Sequence, residues 1–293
     1  MCGFWCIVLP ALGGYTLASL YLLKNPHILH KRKCVSFYCT HISHRGGCGE
    51  RIESTMEAFT HAVAQGTQML ELDCHLTRDG YVVVSHDENL LRQTGHDITI
   101  SSDLPLYKER LELTFYQGHY SSGSDRKFTL LEDVFRKFPE IPISIEIKEN
   151  NDQLIEKATS MPYSFSLSRG VLLLLLFYSG LLPFVPLGES LLQFYLPRIM
   201  NRTFIPEKNI LRNGLIVTLI EKLTMRKSLF KHLAARGIQV HLFVCNTDED
   251  IRAAFEAGAT GVMSDYPSLL SNYLLRNTRE ECELFTSEVH NTS

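Results

Sequence analysis

From residue 42 to residue 264, short period-two apolar stretches alternate with amphipathic helical stretches, and no other feature restricts the fold as much. Ile42 to Gly46 reads as a strand end. Thr55 to Gln65 reads as a helix with Met56, Phe59 and Val63 on one face and Gly66 as its stop. Ser54 with Glu57 has the spacing of a capping box, which predicts Ser54 as the N-cap. MLELDCHL at 69–76 alternates cleanly. Arg78-Asp79-Gly80 reads as a turn into the strand YVVVS at 81–85, and PISIEIK at 142–148 alternates again. Helices are expected at 130–138, 228–236 and 248–257, and further strands at 163–167, 240–245 and 261–263. Such alternation implies a parallel sheet, and in an α/β chain of this length a barrel is the leading architecture.

Two apolar segments stand apart from this pattern. Gly3 to Leu23 carries no charge over a length that matches the hydrocarbon thickness of a bilayer, and Lys24, Lys31, Arg32 and Lys33 follow it. A cleaved signal would place its basic residues first, so residues 1–35 are expected to form a retained anchor with a basic flank. The positive-inside rule favours a cytosolic body, whereas the sequon Asn201-Arg202-Thr203 would suit a lumenal one. Val171 to Leu187 is shorter and is broken by Gly180, Pro183 and Pro186. It reads as a membrane-dipping element, with a buried core helix as the alternative, and the membrane-contacting insertion is expected over about 171–198. The body then spans 40–275, with a polar, frayed tail over 276–293. A net charge of −3 without a basic stripe excludes nucleic acid as a partner, and no sequence feature points to a protein partner. The eight cysteines form no CxxC pair and no zinc spacing, so no disulfide framework is expected.

The polar residues fall where barrel chemistry gathers, at the C-terminal ends of strands. His44 and Arg45 follow the first strand. Glu71 and Asp73 lie two apart on the second and share one face, His86 closes the third, and Glu146 and Lys148 repeat the two-residue spacing on the fourth. A Glu-x-Asp pair or a His-Asp turn alone is common in purely structural settings. Joint placement on successive strands is not, because so many charges on an interior face must pair with one another, a metal or a substrate. Three carboxylates without a thiolate suit a hard divalent cation, Mg2+ or Ca2+. Two imidazoles suit a general acid and base, and Arg45 and Lys148 suit a phosphate. Glycines beside His44 allow backbone amides to approach an anion. Together these residues specify phosphodiester cleavage.

HRGGCGERIEST at 44–55, LELDCHLTRDG at 70–80, VVVSHDENL at 82–90, IEIK at 145–148 and GVMSDYP at 261–267 resemble, in that order, the glycerophosphodiester phosphodiesterase family and its membrane-anchored lysophospholipase D group. The resemblance implies a TIM-type (β/α)8 barrel with an N-terminal membrane helix. It implies His44 and His86 as acid and base, Glu71, Asp73 and Glu146 as metal ligands, and Arg45 and Lys148 as phosphate-binding groups. Glu53 and Phe243 are then pocket residues. It further implies hydrolysis of lysophospholipids to lysophosphatidic acid and the free amine alcohol at a membrane, with the endoplasmic reticulum or perinuclear membrane as the expected location. The alternatives are a glycerophosphodiesterase acting on soluble substrates and a catalytically impaired, membrane-anchored barrel with a binding role.

Three departures from the family pattern bear on these expectations. Ser54 stands where the family has Asn, and Phe243 where it usually has Trp. About 30 residues, enough for one βα unit, are missing where Glu156-Lys157-Ala158 runs into Thr159-Ser160-Met161-Pro162. Seven barrel strands are therefore expected, in a gapped barrel whose catalytic half is intact.

Overall fold

The computed structural model describes residues 2–100, 111–148 and 161–278, with side chains from residue 7 onward. Its core is one curled, mixed sheet. Six strands run parallel in the order β5-β2-β1-β8-β7-β6: β1 (His41–Ser43), β2 (Met69–Leu76), β5 (Ile143–Ile147), β6 (Leu191–Tyr195), β7 (Gln239–Phe243) and β8 (Gly261–Ser264). Helices α2 (Met56–Ala64), α4 (Leu131–Lys137), α5 (Leu167–Ser179), α6 (Gly214–Thr224), α7 (Lys227–Ala235), α8 (Asp248–Ala257) and a last helix over 267–278 cover it. A short α3 spans Leu91–Thr94.

Period-two patterning decides which residues meet the helices. Leu70, Leu72 and Cys74 of β2 pack with Ile143 and Ile145 of β5 against Phe59, Ala62 and Val134 of α2 and α4. Fully burying one such leucine stabilises by about 1.5–3 kcal/mol. The intervening residues Glu71, Asp73 and Glu146 are thereby turned to the other face. On the far half of the sheet, Val240 and Leu242 of β7 and Leu192 of β6 pack in the same way with Leu229, Phe230 and Ile251.

Several expected elements differ. Tyr81–Ser85 reads as a barrel strand from its short β-branched apolar run, yet β3 (Val82–Val84) pairs antiparallel with the outer end of β2, and β4 (Thr129–Leu130) pairs antiparallel with β3. A short apolar run does not encode pairing direction, so the hairpin strand and a barrel strand read alike. Leu191–Tyr195, placed by its apolar character in the membrane-contacting stretch, is the barrel strand β6. Residues 163–167 contribute only a bridge, Ser164 to Leu191, before α5 begins. Thr55, not Ser54, caps α2 by accepting from the Ala58 N–H at 3.2 Å. Glu57 instead accepts from the amides of Ser124 and Asp125, and Ser54 sits at φ +56°.

Among the described residues no ladder joins β5 to β6. Across that opening Gln193 Nε2 donates to Ser144 Oγ at 3.0 Å. The junction at 156–160, and the tail from 279 on, lie outside the described residues. Helix α1 (Cys2–Lys24) is long and apolar enough to cross a bilayer and is almost unburied over Ile7–Lys24. Its C-terminal half meets the body where Tyr15 and Ser19 donate to the Ser179 and Gly180 carbonyls, each at 2.6 Å.

Candidate active site

His44, Arg45 and the two glycines form a tight turn after β1. Arg45, Gly46 and Gly47 all have positive φ. The glycines also make room: a Cβ at Gly46 would meet the Phe59 ring at 2.7 Å, and one at Gly47 would meet Pro267 at 2.7 Å. The curl lets the Arg45 N–H donate to Glu71 Oε2 at 2.9 Å. Sheet register supplies the remaining alignment. Ser43 lies beside Leu70 and Ser264, so the next residues, His44, Glu71 and Asp265, are level across three strands. Asp73 lies directly beside Glu146.

Carboxylate oxygens of Glu71, Asp73 and Glu146 all fall within 4.8 Å of one another. Glu71 and Asp73 are buried, while the Glu146 side chain, on the sheet's open edge, is 61% exposed. Lys148 Nζ lies 3.0 Å from Asp73 Oδ1 and 2.9 Å from Glu146 Oε1. The Arg45 guanidinium, fully enclosed, lies 3.4 Å from Asp73 and 3.5 Å from Glu53. Burial, and then the neighbouring Asp73 carboxylate, pushes Glu71 up to about 7. Asp73 Oδ2 is buried without a hydrogen bond, with Arg45 Nε 3.4 Å away as an ion-pair partner. A hard divalent cation fits this donor set, since it would relieve the repulsion and satisfy that oxygen.

The two histidines sit in opposite electrostatic settings. His44 Nδ1 is 2.6 Å from Asp265 Oδ1. Burial and Arg45 oppose its protonation, but Asp265 and Glu71 outweigh them and the imidazole is raised above its ordinary value. His86 lies in the loop after β3, with Nδ1 2.5 Å from Asp87 Oδ1. Burial lowers it despite that hydrogen bond, and Arg45 and Lys148 lower it further. Asp87 is itself held down to about 2, because hydrogen bonds from His86 and Arg92 exceed the effect of burial.

Glu53 is buried and accepts from Arg92 Nη2 at 2.7 Å as well as from Arg45. Phe243, at the end of β7, is edge-on to Phe115 at 6.4 Å, and Phe115 is edge-on to His44 at 5.8 Å. All nine residues singled out by sequence therefore occur at this end of the sheet or line its rim. Four neighbours received no site role from the sequence. Asp265, which also accepts from Cys48 Sγ at 2.8 Å and Asn246 Nδ2 at 2.6 Å, could have been found as the only carboxylate directly after the last strand. Asp87 was visible only as half of a His-Asp turn, and Arg92 and Phe115 come from a four-residue helix and a loop without periodicity, where ion-pair and ring contacts reveal them.

The family model for the glycerophosphoryl diester phosphodiesterase family matches residues 44–172. Human lysophospholipase D GDPD3 is 45% identical over 300 aligned positions, covering 91% of this chain and 94% of the relative. Human lysophospholipase D GDPD1 is 43% identical, covering 91% and 96%. The 300 positions outnumber the residues that 91% of a 293-residue chain supplies, so the first relative carries residues this chain lacks. The crystal structure of a glycerophosphodiester phosphodiesterase from Thermotoga maritima superposes with a TM-score of 0.53 at 20% identity, covering 81% of this chain and 99% of that one, which establishes the fold. The chain belongs to the glycerophosphoryl diester phosphodiesterase family, and the chemistry of that family is phosphoric diester hydrolysis.

Proposed function

We propose that this protein is a divalent-cation-dependent lysophospholipase D, releasing the amine alcohol from a lysophospholipid and leaving lysophosphatidic acid. The observation that carries the reading is the convergence of Glu71, Asp73 and Glu146 within 4.8 Å beside two cations and an imidazole. The names of the two human relatives support the substrate class. Glu71, Asp73 and Glu146 would hold the cation, Mg2+ or Ca2+, which when bound supplies charge for the non-bridging phosphate oxygens.

The chain's own residues account for the proton traffic. Arg45 and Lys148 hold the phosphodiester through their remaining N–H donors. His86, whose lowered pKa keeps it neutral near pH 7, takes the proton from the free glycerol hydroxyl as that oxygen bonds to phosphorus. His44, kept protonated by Asp265, delivers a proton to the leaving choline or ethanolamine oxygen as its bond to phosphorus breaks. Water then opens the cyclic phosphate, with each histidine reversing its part. Phe115 and Phe243 wall this site on the side facing β6.

Helix α1, with Lys24 in its last turn and Lys31, Arg32 and Lys33 after it, acts as the membrane anchor, at the endoplasmic reticulum or a contiguous membrane. The exposed faces of α5 (Leu167, Val171, Leu175) and α6 (Leu215, Leu219) rest on the same bilayer. One observation favours the impaired-barrel reading. Glu146 belongs to the strand beside the opening, where a unit following about residue 158 in relatives would pack. Quantifying choline and lysophosphatidic acid from lysophosphatidylcholine, with glycerophosphocholine in parallel, tests these readings. Stoichiometric products lost in His44→Ala support the lysophospholipase D. Turnover of glycerophosphocholine alone supports the soluble-substrate reading, and no turnover of either supports impairment.

A further inference from the structure

A cavity of about 270 Å³ lies beneath α5, against the free edge of β6. Gly170, Leu173 and Leu174 of α5 form its roof, and Leu192 and Tyr195 of β6 with Phe243 of β7 form its floor. The cavity touches both faces of β6. Leu192 belongs to the helix-side core, whereas Gln193, also in the wall, reaches across the opening to Ser144. Among the described residues, the Ser164 bridge is the one pairing on this edge of the strand. The walls are almost wholly apolar, and one of them is shared with the catalytic end of the sheet. Phe243 packs on Phe115, and Phe115 packs on His44, so two ring contacts separate the cavity from the imidazole. The same helix turns Leu167, Val171 and Leu175 outward.

We propose that this cavity seats the acyl chain of the lysophospholipid substrate, entered past Phe243 and Tyr195 through the opening beside β6. The proposal rests on the lysophospholipid reading and extends it to a binding site for the tail. Continuity with the site chooses the occupant. A phosphodiester held beside His44 directs its glycerol ester over Phe115 and Phe243, and an apolar space open at that point excludes water from an alkyl chain more readily than from a headgroup. An unfilled cavity of this size is also costly to keep dry and empty, whereas a chain fills it with dispersion contacts.

Gly170 offers a direct test. A Cβ built there meets nothing within 4 Å, and Gly170 lines the cavity with Leu173 and Leu174, so Gly170→Leu adds its side chain to the cavity wall. Leucine is also the better helix former, so folding is favoured, and a thermal melt checks it. Each buried methylene raises affinity about fourfold. Wild-type kcat/KM should therefore climb with acyl length until the cavity is full. In Gly170→Leu that climb flattens and long-chain turnover falls at least tenfold, while glycerophosphocholine turnover stays unchanged. Binding of a pyrene-labelled lysophosphatidylcholine below its micellar concentration, in EDTA, reads the tail site without catalysis. Binding by wild type and loss in Gly170→Leu supports the cavity even if neither protein turns over lipid, in which case only the activity reading falls. An unchanged chain-length slope, equal loss on both substrates, or no pyrene-lipid binding by wild type overturns the assignment.

Discussion

Replacing Asp265 with asparagine tests how the enzyme keeps an imidazole protonated in a dry site. Asp265 is fully buried and accepts three hydrogen bonds, from His44 Nδ1 at 2.6 Å, Cys48 Sγ at 2.8 Å and Asn246 Nδ2 at 2.6 Å. Its carboxyl is held below the ordinary carboxylate range; burial opposes this, but the His44 charge and these donors win. The amide removes the negative charge and turns an N–H2 toward one of the donors. At least one charge-assisted bond is lost, worth about 1.5–3 kcal/mol, or roughly one to two orders of magnitude in an equilibrium. With burial and Arg45 then unopposed by Asp265, His44 drops, and the protonated fraction at neutral pH drops with it. The pH profile of choline release should show kcat/KM reduced about 10- to 100-fold at pH 7.5, with its alkaline limb moved to lower pH. A Tm lower by several degrees accompanies this. A lower Tm with an unmoved alkaline limb and near-normal turnover would refute the electrostatic role and leave Asp265 a packing group.

In the unaltered protein, kcat/KM should be bell-shaped. It rises as pH passes upward through the lowered His86 value, where the base becomes neutral, and falls as pH passes through the raised His44 value, where the acid loses its proton. A profile flat from pH 5 to 9 counts against the pair. The His44–Asp265 pair has its own stability window: its contribution is lost as pH falls through the depressed Asp265 value and as pH rises through the raised His44 value, so Tm measured across pH should sag at both ends. Gly47→Ala forces a Cβ against Pro267 at φ +86° and should cost about 1–3 kcal/mol, read as a lower denaturant midpoint. Arg92→Ala removes the 2.7 Å bond to the buried Glu53 carboxylate and the bond to Asp87. Losing those charged bonds should cost about 2–4 kcal/mol, and an unchanged denaturant midpoint would show the network to be dispensable.

The strands that carry chemistry were legible because β2 and β5 satisfy two demands in one pattern. Leu70, Leu72, Ile143 and Ile145 mark the helix side, so Glu71, Asp73 and Glu146 had to face the opposite way. Pairing direction was not legible, since the apolar run Val82–Val84 would suit a barrel strand equally and the hairpin depends on the turn closed by Gly80. Strand β6 was hidden by its neighbour: Leu191–Tyr195 continues an apolar run that is helical in α5, and composition does not mark where the run changes role. Ser54 was misread for a local reason. Its φ of +56° excludes the extended backbone of an N-cap and passes that task to Thr55. Residues such as Arg92 and Phe115 reach the site through contacts distant in sequence, for which no local pattern exists.

The most direct measurement is choline release from lysophosphatidylcholine by the purified full chain, followed through EDTA treatment and stepwise return of Mg2+ or Ca2+. Release should fall to background with chelator, recover with one of these ions, and fail to recover in Asp73→Asn. Equal release with and without EDTA, or full activity in Asp73→Asn, would contradict a cation held by Glu71, Asp73 and Glu146.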